Sequence, residues 1–380
     1  MMPILGLYIH VPFCNSKCDY CAFTSVTRWD KTTEEAFVAR VLNDLDSYAG
    51  QLDQVTTAYI GGGTPSALRS ESLARLLAAV RTTATNVREI TLEANPQSAS
   101  YEIISVAVAG GVTRLSLGVQ SFDSRVLSTI GRRKTTPDRI SEIRSGWSRD
   151  LSVDLIIDTP DVHEGDTLSS VGRALGLSLD HLSLYSLSVE PGTPLSGRIS
   201  QDRDLALSQA EDETILQRLA EAGLARYELS NFARPGCECE HNRNYWTQRG
   251  YLGVGPSAVS TLYGENGALR ITQPESIEAY VRGDPTDATY EHLDRGDLLV
   301  EHIMMGLRTR EGINYRSMER RYGCHLGALA PREVARYIEQ GMLVERPDGV
   351  AGTTRGWRYL DAVLRSLIGE VCANLDTLQV

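Results

Sequence analysis

An α/β fold is predicted for this chain: a partial (β/α)6 barrel followed by a small C-terminal winged-helix-like α+β domain. Three observations carry the prediction. Short β-rich runs alternate with longer amphipathic stretches over the first two-thirds of the 380 residues, the pattern of βα units on a parallel sheet. Polar residues or glycines stand just beyond the expected strand ends, at His10, Gly61, Gly62, Gly63, Asn95, Gln120 and Asp158, on the rim where barrel enzymes place their sites. The last quarter changes to helices closed by a short hairpin.

The expected strands are 5–9, 57–60, 89–93, 114–118, 152–157 and 181–186. Between them, 33–48, 70–81 and 208–222 space their apolar residues by three and four, as amphipathic helices do. Around 263–287 the pattern breaks into Gly, Asn, Pro and Asp, which reads as a linker. The predicted organisation is therefore a barrel at 1–262, a linker at 263–290 and a second domain at 291–380. In that domain 291–309 and 331–340 read as helices. Residues 343–346 and 350–353 read as a hairpin around Pro347-Asp348-Gly349, and 357–368 as a closing helix. No internal repeat or low-complexity tract stands out.

Composition narrows the function. Apolar residues make up 42% and charged residues 23%, which fits a folded globular enzyme and not a disordered chain. The net charge of −11 repels a phosphate backbone, so nucleic acid is not expected as a partner. The N-terminus has neither a basic flank nor an apolar run of signal-peptide length, and no stretch is long enough to span a membrane. A cytoplasmic location is expected. There thiols stay reduced, and seven cysteines point to metal or redox chemistry before disulfides.

Three of the seven fall within eight residues, Cys14, Cys18 and Cys21, directly after the first strand. Thiolates are the usual ligands of iron–sulfur clusters, and a complete cluster site takes four. Three leave one iron open to a further ligand, as a catalytic zinc keeps an open position. The alternatives are a structural zinc site or unconnected core cysteines. Zinc requires a fourth nearby Cys or His, and position 23 is Phe. Next comes Gly61-Gly62-Gly63-Thr64-Pro65 after the second strand. Successive glycines let backbone approach a ligand closely and present N–H donors, or they form a plain strand-to-helix turn.

The spacing C-x3-C-x2-C after a first barrel strand resembles the radical S-adenosylmethionine (SAM) superfamily. The longer string resembles the branch of oxygen-independent coproporphyrinogen III oxidases and their relatives, the HemW haem chaperones. The resemblance runs along nearly the whole chain and implies a radical-SAM barrel. It makes Cys14, Cys18 and Cys21 ligands of a 4Fe–4S cluster whose open iron chelates SAM, which electron transfer cleaves to a 5′-deoxyadenosyl radical. It assigns SAM contacts to Tyr8, Gly62, Gly63, Thr64, Glu93, Gln120, Arg132 and Asp154, and to the backbone at Val259. Carboxylates accept from ribose hydroxyls or the ammonium, while Gln and Arg bond the carboxylate. Without the resemblance, Glu93 and Asp154 read as salt-bridge partners of Arg132 or Arg114.

Within the branch, the oxidases carry a fourth cysteine two residues after the third and a long extension before the cluster. Here Phe23 and an early Cys14 stand instead, so coproporphyrinogen III dehydrogenase activity is not expected. His241-Asn242-Arg243-Asn244-Tyr245 resembles the chaperones' HNxxY motif linked to haem binding. One helical turn puts His241 and Tyr245 on one face, beside Trp246, and imidazole and phenolate are both axial haem ligands. A His hydrogen-bonded inside a structural turn is the plain alternative. The function implied is a haem chaperone that holds a cluster, SAM and haem and passes haem to acceptor apoproteins, served by an electron donor. A peripheral contact with a membrane-bound haem acceptor is compatible with it. The alternative is a radical enzyme acting on a porphyrinogen or another substrate.

Three departures from the family pattern stand out. Relatives read Tyr-Gly-Leu-Pro-Gly-Gln-Thr where this chain has Ile157-Asp158-Thr159-Pro160-Asp161-Val162-His163. Lys134 and Val259 occupy positions where His is common. Cys237 and Cys239 lie outside the family pattern and read as surface cysteines, with metal or haem iron as the alternative. Cys324 and Cys372 read as small hydrophobes.

Overall fold

A computed structural model describes residues 4–160, 163, 165–199 and 209–378. Asp161, Val162 and Ser208, which figured in the reading above, lie outside the described residues.

The barrel strands are β1 (Ile4–Val11), β2 (Thr57–Gly62), β3 (Glu89–Ala94), β4 (Arg114–Gln120), β5 (Asp150–Ile157) and β6 (His181–Ser186). Each pairs in parallel with the next, with Tyr8 opposite Tyr59, Leu92 opposite Leu115 and Asp154 opposite Ser183. Strands β7 (Ala225–Arg226) and β8 (Asn231–Ala233) follow, then β9 (Gly250–Val254), β10 (Val259–Tyr263), β11 (Ala268–Thr272) and β12 (Thr289–Leu293). They extend one twelve-stranded sheet in the order β12-β11-β10-β9-β1-β2-β3-β4-β5-β6-β8-β7. The run from β9 to β6 is parallel, and both ends are antiparallel. The barrel is open because β12 and β7 never meet.

Alternation along the strands explains where the site lies. Leu7, Ile9 and Val11 are fully buried in one core with Phe37, Val38 and Val41 of the helix Lys31–Ser47. Burial of each such side chain contributes about 1.5–3 kcal/mol. Their neighbours Tyr8 and His10 point the other way, into a lumen they share with Tyr59, Glu93, Ser116 and Asp154. A parallel strand buried on both faces usually reads as continuous apolar sequence. Here one face is polar, so the lumen is built for chemistry and the core sits between strands and helices.

The segment expected as a linker is corrected by the structure. Residues 263–290 hold β11, the helix Ile277–Arg282 and the start of β12. The Gly and Asn residues there turn a hairpin, with the Gly264 N–H donating to Gly267 O at 2.8 Å. Asp284 and Pro285 turn the chain into β12. Turn chemistry between short strands looks like a linker when the strands carry no strong period. The helix expected from 291 begins later, at Arg295–Gly306, because β12 takes Glu291 and Asp294 caps the helix in a box with Asp297.

The C-terminal unit has its own core, including Leu299, Ile303, Met318, Leu343 and Leu367. The hairpin β14 (Leu343–Arg346) and β15 (Gly349–Gly352) gains β13 (Ile313–Asn314) as a third strand. The closing helix is two, Thr354–Arg358 and Leu360–Leu378, broken at Tyr359. No helix among the described residues is long and apolar enough to cross a membrane.

Candidate functional site

The cysteine loop leaves β1 at the C-terminal mouth of the barrel and is tied down at both ends. Cys14 N–H donates to Val26 O at 3.0 Å, Val26 N–H to Pro12 O at 2.7 Å, and Asp19 N–H to Ile130 O at 3.0 Å. Cys14 and Cys18 are buried and Cys21 partly so, and none is in a disulfide. Burial pushes the Cys14 and Cys21 thiols up, and each also feels the charge of Cys18. Three thiolates this close repel one another, and a cationic iron–sulfur core relieves that. Three free thiols on one loop are the donor set that a 4Fe–4S cluster takes, one thiolate to each of three irons, so the loop fits that group. Phe23, where a fourth cysteine would stand, is 63% exposed.

Beneath the loop lies the glycine run. A Cβ on Gly61 would meet the Tyr59 ring at 2.8 Å and the Glu93 carboxyl at 2.9 Å; one on Gly62, where φ is +103°, would strike the His10 ring at 2.5 Å. Both positions need glycine. The N–H groups expected to face SAM are engaged elsewhere: Gly62 N–H donates to Glu93 Oε2 at 3.1 Å, Gly63 N–H to Val11 O at 2.8 Å and Thr64 N–H to Phe13 O at 2.7 Å. Close approach of backbone to backbone is what the glycines provide. Gly63→Ala tests this, because its Cβ would sit 2.8 Å from the Val11 and Phe13 carbonyls and 3.1 Å from Cys14 Sγ. The variant is expected to lose more than half its iron on reconstitution, measured per chain; full iron would refute the packing argument.

Of the other positions expected to contact SAM, Tyr8, Glu93 and Asp154 share the lumen. Glu93 accepts from Tyr59 Oη at 2.6 Å, and burial pushes its pKa up to about 7. Asp154 accepts from Ser116 Oγ at 2.9 Å and is raised by burial. Neither makes an ion pair among the described residues, which sets aside the salt-bridge alternative. Arg132 instead donates to Cys18 Sγ at 3.2 Å and to Gly118 O. Gln120 sits at φ +70° beside a bulge in the β4–β5 pairing, a strained backbone of the kind that marks functional sites. Tyr8 Oη lies 3.1 Å from His10 Nδ1. Val259 opens β10, its carbonyl packed on Gly253.

Sequence reasoning missed what braces this mouth. His10 Nε2 is 2.8 Å from Thr24 O, and Thr24 Oγ1 is 2.6 Å from Ser257 Oγ. Together they join β1, the cysteine loop and the loop before β10. Gly255, at φ +104°, packs directly on the His10 carbonyl. His10 was legible as a rim residue, but a bond to a carbonyl fourteen positions away leaves no mark in sequence.

The haem-motif residues lie at the opposite end. His241 and Tyr245 stand on the helix Glu240–Trp246, against the N-terminal ends of the strands. His241 is 1% exposed, and both ring nitrogens are engaged: Nδ1 with Thr57 Oγ1 at 2.9 Å and Nε2 with Tyr245 Oη at 2.8 Å. Burial pushes its pKa down to about 3. Glu89, the first residue of β3, accepts from the N–H groups of Glu240 and His241 at 2.8 and 2.9 Å and so caps the helix. This arrangement offers no ring nitrogen to iron. Cys239 is also corrected. Expected at the surface, it is 1% exposed beside Glu89, with a thiol pushed up to about 12 by burial. Cys237 is half-buried, and its carbonyl accepts from Arg114. Cys324 is half-buried and Cys372 exposed.

The family model of the Radical SAM superfamily matches residues 8–167, and that of the HemN C-terminal domain matches residues 293–359. The heme chaperone HemW of Mycobacterium tuberculosis (strain H37Rv) is 34% identical over 386 residues, covering 96% of this chain and 95% of its own. That of Escherichia coli K12 is 32% identical over 380 residues, covering 97% and 99%. Among solved structures, coproporphyrinogen III oxidase (HemN) from Escherichia coli superposes with a TM-score of 0.78 at 20% identity, over 96% of this chain and 90% of that one. That likeness shows the fold.

Proposed function

The chain belongs to the HemW family of the radical SAM superfamily, and from that premise we propose that it is a haem chaperone. It binds a 4Fe–4S cluster, SAM and haem and delivers haem to acceptor proteins. One observation supports this above the others. The three thiols of Cys14, Cys18 and Cys21 share one loop at the barrel mouth, and exposed Phe23 stands where the oxidases carry a fourth cysteine. The thiols hold the cluster, with Arg132 moderating the charge on Cys18. Tyr8, Glu93, Gln120 and Asp154 face SAM, and the turn Gly62-Gly63-Thr64 and the backbone at Val259 form the wall behind them, with the N–H groups of that turn held by Glu93, Val11 and Phe13. Once bound, the cluster supplies the electron that cleaves the sulfonium of SAM.

The chain's own residues set the conditions. A carboxyl at about 7 lets Glu93 hold a proton before SAM arrives and give it up to meet the ligand's ammonium. Asp154, braced by Ser116, accepts from ribose hydroxyls. The same proposal includes a cytoplasmic location, a separate electron donor and, at most, a peripheral contact with a membrane-bound acceptor.

Anaerobic reconstitution tests the reading. One sample should retain about four irons per chain, bind hemin and release it to an apo-haemoprotein. Coproporphyrinogen III should yield no protoporphyrinogen IX. A stoichiometric yield of that product would assign the chain to the oxidases instead.

A further inference from the structure

A cavity of about 550 Å³ opens between the barrel mouth and the C-terminal unit, within the range of about 300–1,000 Å³ usual for small-molecule and cofactor sites. One wall is the end of β6 and the β7–β8 hairpin, and the other is the broken helix around Trp357 and Tyr359. The cavity adjoins the lumen. Tyr185 lines it, two residues beyond Ser183, the partner of Asp154 in the β5–β6 register. A ligand held here is therefore a neighbour of the SAM-facing residues.

The lining is amphipathic. Arg226 lies over the Trp357 ring at 4.5 Å and over Phe232 at 5.5 Å, and donates to its own loop at Leu229 O. Among the described residues no carboxylate lies in ion-pair range of it. Burial pushes its pKa down to about 10, while the charges of Asp212 and Glu228 pull the other way. Arg358 lies on the same wall, 3.7 Å from Asp212. Asp158, Asp212 and Asp361 line the cavity too, so it is no general trap for anions. A fitting ligand carries its negative charge at one edge, toward the arginines, and an apolar body elsewhere.

Resting on the haem reading above, we propose that this cavity seats the haem, with its two propionates directed at Arg226 and Arg358. Haem is a flat apolar macrocycle with both carboxylates on one edge, which is the shape and polarity the lining selects. The seat also places haem at the SAM end of the barrel and not at the floor, where His241 and Tyr245 bond each other.

Hemin titration of the reconstituted full chain, followed by Soret absorbance, tests the proposal. Ser186→Trp fills the cavity from an exposed strand end, and Arg226→Gln removes the buried cation. Each is expected to weaken hemin binding at least tenfold while cluster iron and circular dichroism stay unchanged. Metal-free protoporphyrin IX should compete with hemin, since shape and carboxylates are what the site reads. If Arg226→Gln does not fold, Ser186→Trp alone decides. Affinities within twofold of wild type in the folded variants overturn the proposal and leave the haem reading standing. So does binding that survives them but vanishes in His241→Ala. A wild-type chain that binds no hemin overturns both.

Discussion

Replacing Cys18 with alanine is expected to reduce the iron of the reconstituted protein from about four per chain to well under one, and to abolish its visible cluster absorbance. The loss should be this complete because the loop offers no substitute thiolate. Cys237 and Cys239 lie at the other end of the strands, and Cys324 and Cys372 belong to the C-terminal unit. A three-ligand cluster that loses one ligand has two of its four irons open. Arg132 would also lose the sulfur it faces at 3.2 Å, leaving a buried guanidinium that still donates to the Gly118 carbonyl. The fold itself should survive. Backbone bonds from Cys14 to Val26 and from Asp19 to Ile130 hold the loop without the thiol. Iron analysis and circular dichroism on the same sample check both halves. Retention of half or more of the iron would show that Cys18 is not a ligand.

That result bears on a part of the molecule that could be read without coordinates. The cysteine spacing is local, and the six strands carry a period of two that fixes their faces. Their expected ends fall within three residues of β1 to β6. What could not be read depends on contacts between distant residues. The glycine run is legible as glycine, but its N–H groups go to Val11, Phe13 and Glu93, partners that only strand pairing brings near. Strands β9 to β12 were missed because strands of five residues broken by Gly and Asn turns carry little periodic apolar signal. Strand β9 joins the sheet by pairing in parallel with β1, more than two hundred residues earlier in the chain.

The haem motif shows the same limit most sharply. Spacing correctly places His241 and Tyr245 on one helical face, but says nothing about what that face meets. Thr57, Glu89 and Tyr59 meet it, and all three come from strand positions chosen by register. A short-range pattern shared by a ligand pair and a hydrogen-bonded pair cannot separate the two.

Removing His241 is expected to cost stability before anything else. His241→Ala leaves Thr57 Oγ1 and Tyr245 Oη without the ring they bond at 2.9 and 2.8 Å, and opens a void beside Tyr59, whose ring lies 5.2 Å away. An unsatisfied buried polar group costs about 1–3 kcal/mol and a cavity adds to it, so about 3 kcal/mol is expected, read as a lower urea midpoint at pH 7.5. Cluster iron should not change. The floor lies about 16 Å from the mouth, five residues of β1 at about 3.3 Å each. His241→Gln should cost less, because an amide keeps a donor and an acceptor. The pH dependence separates packing from titration. The unfolded imidazole takes its proton near 6.5, and the folded one only near 3. Its contribution is therefore complete above about 6.5 and is lost progressively as pH falls toward 3. Wild type should lose stability more steeply than His241→Gln across that window, and equal slopes would show that the ring is not held neutral. Hemin affinity of His241→Gln at pH 7.5 should lie within twofold of wild type if haem sits at the mouth. A tenfold loss, with iron and fold intact, would bring haem back to the floor and require the His241–Tyr245 bond to open for it.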